Sequence, residues 1–143
     1  MRFFSRVLLP GISGFAVASF FLSLFEAVNH VFFPLPKDIV WSNLASVHAM
    51  SAAVPPSAYV LLCMGWLVSS YAGGLTIRGL TVSPRNHPTM LLGGVLTFCG
   101  GLTIVLLGQP ELVAVVGLPL LCIGTYIGST VHIERIARRA FLE

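Results

Sequence analysis

The chain predicts an all-α fold: a polytopic membrane protein forming a four-transmembrane-helix bundle, with a short outer interfacial helix between the first and second spans. Hydrophobic residues make up 56% of its 143 residues and charged residues only 9%, against about 45–50% and about 25% in soluble domains. The mean hydropathy is +0.92. Four apolar runs are each close to the roughly 20 residues that cross the hydrocarbon core as a helix, and basic residues stand at their ends.

The first span covers 7–33. Arg2 and Arg6 before an apolar run, with Ala16-Val17-Ala18 further on, resemble a secretory signal and its cleavage site. The apolar character continues well past that point, which predicts an uncleaved signal-anchor helix. Pro34-Leu35-Pro36 ends it. An interfacial segment over 38–52 follows, in which Asp38 is expected to N-cap a helix beginning near Ile39. Val40, Leu44 and Val47 share one face of it, and Trp41 marks the headgroup boundary. Pro55 and Pro56 suit the first turn of the second span, 57–77. The third span covers 90–108 and the fourth 112–133, joined by the tight turn Gln109-Pro110-Glu111, and Pro119 is expected to kink the fourth. These elements form a single membrane domain over 1–143, without internal repeats.

Orientation follows from the eight Lys and Arg residues. Arg2, Arg6, Arg78, Arg85, Arg135, Arg138 and Arg139 fall on one side of the bilayer and Lys37 alone on the other. The positive-inside rule makes the first side cytoplasmic, so both termini are expected in the cytoplasm, across a bacterial plasma (inner) membrane. The net charge of +3 is then a matter of anionic headgroups. No nucleic-acid motif is present, and the expected partners are the lipid bilayer and either another membrane protein or a second copy in a homo-oligomer.

Cys63, Cys99 and Cys122 sit in three different spans without CxxC or Cys/His metal spacing. They are read as small apolar packing residues, and no metal or cofactor is expected. Helix association in lipid depends on close packing, and small residues supply it. These are Gly65, Ser69, Ala72, Gly73 and Thr76 in the second span, Gly93, Thr97, Gly100 and Gly101 in the third, and Gly117, Gly124 and Gly128 in the fourth. These stripes are expected to serve contacts within one chain; Gly124 and Gly128, spaced as GxxxG, are the pair best suited to a dimer.

One constellation has chemical potential. On a helical wheel Ser19, Ser23, Glu26 and His30 of the first span fall within about 60°, with Phe21, Phe25, Val28 and Phe32 opposite. The polar arc is expected to face the other helices and the bulky side chains the lipid. At 1.5 Å per residue Glu26 lies roughly 29 Å beyond Val7, toward the outer edge of the hydrocarbon. An ionisable residue in a span is by default a site hypothesis. The competing reading is that Glu26, Asn29 and His30 fasten the Pro34–Pro36 turn. Asp38 and His48 complete a site only if the fold brings them to Glu26. His132 lies at the opposite side of the membrane, and His87 is read as solvated.

The order of features resembles a loosely defined set of small, uncharacterised bacterial four-helix membrane proteins. Their pattern corresponds here to Glu26, His30, Pro34, Pro36, Asp38, Trp66 and Gly73-Gly74, with Pro110, Pro119 and Gly124 similar to the last helix; the aromatic residue after the last turn's Pro is absent, with Leu112 nearby. The resemblance implies fold and topology, and no activity. The small multidrug-resistance transporters are similar in span number and in a first-helix Glu, but theirs lies near the helix middle.

Without a Gly-x-Ser-x-Gly, His-Glu-x-x-His or P-loop motif, the leading expectation is a non-enzymatic accessory, assembly or interaction protein. The alternative is an oligomeric transporter or proton-coupled carrier using Glu26 and His30. A lipid hydrolase pairing His30 or His48 with Ser42, Ser46 or Ser51 ranks third.

Overall fold

The computed structural model describes residues 7–34, 41–81 and 87–130. Four helices are long and apolar enough to cross a membrane: α1 (Leu9–Phe32), α3 (Pro56–Leu80), α4 (His87–Leu107) and α5 (Glu111–Thr130). The short α2 (Leu44–Ala53) lies between the first two of them. At 1.5 Å per residue the four long helices extend about 30–37 Å, enough for a hydrocarbon core about 30 Å thick. The chain is a multi-pass membrane protein. Phe98, Val105 and Val115 are more than two-thirds exposed on the outer faces of the bundle, as suits side chains whose solvent is lipid.

The helix ends follow local chemistry. Pro56 takes the first position of α3, where a missing N–H costs nothing, and Pro55 is its N-cap. α2 begins at Leu44, because the Asn43 side-chain oxygen accepts from the Ala45 N–H at 3.0 Å and caps it. The helix start expected near Ile39 is therefore corrected, since 41–43 form a turn; Asp38 and Lys37 lie outside the described residues. α4 ends at Gly108, whose φ of +60° is a left-handed conformation, and the Gln109 N–H returns to the Ile104 carbonyl at 3.1 Å. That is the Schellman closure glycine permits. Pro119 lies inside α5, and the helix is continuous through it.

Two ends of the bundle can be distinguished. The terminal end holds the start of α1 and the end of α5; the distal end holds α2 and the α4–α5 turn. Toward the terminal end the helices meet backbone to backbone. A Cβ on Gly14 would come within 2.9 Å of the Gly73 carbonyl oxygen, and one on Gly73 within 2.7 Å of the Gly14 oxygen, with the Ile77 and Leu92 side chains packed beside the pair, so the α1 and α3 backbones meet there. On the other side of α3, a Cβ on Gly74 would collide with the Thr125 carbonyl, one on Gly124 with Ser70 Oγ and Leu67 O, and one on Gly128 with Tyr71 O. Ser70 Oγ donates to Leu67 O at 3.0 Å and reaches Leu120 O of α5 at 3.5 Å. Thr76 and Thr125 hydroxyls bond carbonyls one turn back in their own helices, so neither hydroxyl proton is left unmet in lipid.

Toward the distal end large side chains hold the helices apart. Phe25 of α1 packs on Gly65, and the buried Trp66 ring packs on Gly117 of α5 and reaches toward Gly100 of α4. Trp66, Leu92, Leu96, Ile104, Val113 and Leu121 form much of the core. The packing seam of α1 is thus Gly11, Gly14, Ala18 and Phe25, one step around from the polar arc. The expectation that Phe25 faces lipid is corrected: only a residue without a side chain at position 65 admits its ring.

Candidate functional site

α1 and α4 touch near the terminal end, where Leu91 packs on Gly11. Toward the distal end a cavity of about 470 Å³ opens between them. α1 supplies Ser19, Leu22, Glu26, Asn29 and His30 to one wall, and α4 supplies Leu96, Cys99, Gly100 and Thr103 to the other. Tyr59, Leu62, Trp66 and Ser69 of α3 form the floor, while Trp41 and α2 residues Met50 and Ser51 lie over the distal side. The lining is mostly apolar and aromatic, with the hydroxyls of Ser19, Ser69 and Thr103 among it and Glu26, Asn29, His30 and Gln109 toward the distal end. Such a volume is typical of sites for small molecules.

The roof is tied down through one hydroxyl pair. Tyr59 Oη donates to the Ser51 carbonyl at 2.6 Å, and Ser51 Oγ lies 2.7 Å from the same Tyr59 oxygen, completing the pair as donor. The ring of His48 lies over Gly108, where any Cβ would strike it, and Val47 is buried. α2 is thereby seated on the ends of both α3 and α4. Removing the Tyr59 hydroxyl in Tyr59→Phe should raise amide hydrogen exchange across α2 about fivefold, a loss of about 1 kcal/mol. Unchanged exchange would show that α2 is held by its apolar contacts alone.

At the distal end, Glu26, Asn29 and His30 occupy neighbouring positions on one helical face, and Gln109 comes from the α4–α5 turn; all four line the cavity. Asn29 Oδ1 and Gln109 Oε1 are buried without a hydrogen-bond partner. An unmet buried acceptor costs about 1–3 kcal/mol, so two at one mouth are an unusual expense. Among the described residues the Glu26 and His30 side chains make no hydrogen bond or ion pair, and no side chain of the three α1 residues bonds the start of the turn at Pro34.

Of the residues singled out from sequence, Ser19, Glu26 and His30 share the cavity. Ser23 is exposed outside it, His48 sits on Gly108 instead of the cavity lining, and Asp38 is outside the described residues. Gly65, Gly73, Gly124 and Gly128 make close contacts within the chain, whereas a Cβ on Gly93 or Gly101 would meet nothing within 4 Å. The three cysteines are free, and no group of three potential metal ligands occurs among the described residues. Gln109, Tyr59 and Trp66 belong to the site without having been singled out for it. Polar residues next to helix ends were the available signal, but a turn glutamine reads first as a loop residue. No family model, curated protein or solved structure matches the chain.

Proposed function

We propose that this multi-pass protein is a non-enzymatic binding protein of the membrane, which holds a small amphiphile in the distal cavity. The observation that carries the reading is the cavity itself: an apolar, aromatic interior about 470 Å³ in volume, topped by Glu26, Asn29, His30 and Gln109. Its size bears on what enters. One turn of a helix, 10–12 Å across with a pitch of 5.4 Å, fills roughly 400–600 Å³. A partner's transmembrane helix needs several such volumes, whereas a single acyl chain or small amphiphile does not.

In this reading the chain lies in a bacterial plasma membrane with both termini in the cytoplasm, and the cavity draws from the outer half of the bilayer. The distribution of Lys and Arg supports that orientation. A carrier working through Glu26 and His30 needs a route to the other face. The close approaches of Gly14 to the Gly73 carbonyl and of Gly124 to Ser70 Oγ and the Leu67 carbonyl pack the terminal half tightly and favour binding over transport.

Native mass spectrometry of the purified chain tests this. The expected result is one bound amphiphile per chain, lost when the cavity is filled by Ser19→Phe or Thr103→Phe while the thermal unfolding midpoint is kept. Absence of any bound amphiphile, or equal retention in the filled but folded variants, would overturn the reading.

A further inference from the structure

Three groups at the distal end of the cavity offer acceptor oxygens, two of them on amides that also carry N–H donors. Asn29 Oδ1 and Gln109 Oε1 are acceptors, buried and unpartnered, and the Glu26 carboxylate in its ionised form only accepts. His30 adds an imidazole, which both donates and accepts when neutral. No Lys or Arg is among the cavity-lining residues; Lys37 lies outside the described residues. A headgroup that brings N–H donors and positive charge satisfies all three acceptors, whereas a bare carboxylate or sulfate head takes hydrogen bonds from the amide N–H groups and His30 but leaves the acceptor oxygens unpaired.

Resting on the proposed binding role, we infer that the cavity selects an amphiphile with a primary ammonium head. The head sits among Glu26, Asn29 and Gln109, and the chain lies along Leu22, Leu62 and Trp66. Three N–H donors on one nitrogen match three acceptor groups, and charge-assisted bonds of this type are roughly twice as strong as neutral ones. A quaternary ammonium carries the same charge without a donor. Discrimination between the two therefore reports hydrogen bonding and not charge alone. Two sources share this chemistry: an aminophospholipid of the bilayer, and a free long-chain amine.

The chain is reconstituted in nanodiscs of equimolar phosphatidylethanolamine and phosphatidylcholine, then released for native mass spectrometry; dodecylamine, dodecyltrimethylammonium and dodecanoate are added separately. We expect phosphatidylethanolamine to be retained about tenfold over phosphatidylcholine, a discrimination of about 1.4 kcal/mol, and displaced by dodecylamine alone. Retention of dodecylamine without preference between the lipids also supports the ammonium site and identifies a free amine as its source. Asn29→Leu and Gln109→Leu should each reduce the preference, and Asn29→Asp, which keeps an acceptor, should preserve it. Equal retention of both lipids with equal displacement by the primary and quaternary amines overturns the head assignment and leaves amphiphile binding standing. Preference for dodecanoate also overturns it. Absence of any bound amphiphile overturns the binding role as well.

Discussion

Gly124→Val and Gly128→Val should each cost about 3 kcal/mol or more, because the added carbons have no space that flexible side chains could yield. The atoms in the way are Ser70 Oγ and the Leu67 carbonyl at one position, and the Tyr71 carbonyl at the other. Relief requires α3 and α5 to separate, which also withdraws Ser70 from Leu120 O. Lipid offers no hydrophobic force to hold parted helices together, so the loss should appear in full. The contrast lies in α4, where Gly93→Ala and Gly101→Ala fill open space. Replacing a mid-helix glycine by alanine there should stabilise by about 0.5–1 kcal/mol. Unfolding midpoints in bicelles against added dodecyl sulfate measure all four. Equal tolerance at positions 124 and 101 would contradict the placement of α5 on α3.

Trp66→Ala should be the second most damaging change, at about 3 kcal/mol by analogy with other large-to-small core truncations. The ring is only 3% exposed and holds α3 off both α5, at Gly117, and α4, near Gly100. Its loss joins the space it occupied to the existing cavity, so neighbouring side chains lose dispersion partners on one side. Trp66→Phe keeps a ring at the same depth and should recover most of the difference. If Trp66→Ala instead unfolded at the wild-type midpoint, the distal half would not depend on that wedge. The same truncation should broaden what the cavity accepts, which native mass spectrometry would read as a second bound amphiphile.

The architecture was largely legible from sequence because span length and apolar composition are local properties. The limits expected from hydropathy, 57–77 and 90–108, differ by one to three residues from α3 and α4. Helices extend through polar ends that hydropathy alone trims, as at Arg78 and His87. The start of α2 was misplaced because Asp38 and Asn43 are both competent caps, and only the fold around Trp41 and Ser42 decides between them. Gly124 and Gly128 were recognisable by their spacing. Gly14 was not, since its partner Gly73 is far away in sequence and no periodicity links them. Of the polar arc of α1, Ser19, Glu26 and His30 line the cavity, but Glu26 and His30 are exposed and not turned into the bundle as expected. The convergence of Gln109 and Tyr59 on that arc is tertiary and left no trace in spacing. His48 illustrates the opposite case: its chemistry suggested a site, and its place over Gly108 is a packing role set by a left-handed turn.

An amphiphile whose chain enters the distal cavity would lie beside Trp66, and tryptophan emission can report that. The chain has two tryptophans, so Trp41→Phe leaves Trp66 as the single reporter, buried too deeply for lipid outside the bundle to touch. In bilayers whose acyl chains carry bromine, Trp66 fluorescence should be strongly quenched, and the filled variants Ser19→Phe and Thr103→Phe should be protected. Emission as bright in brominated as in ordinary lipid, or quenching equal in the filled variants, would contradict that placement.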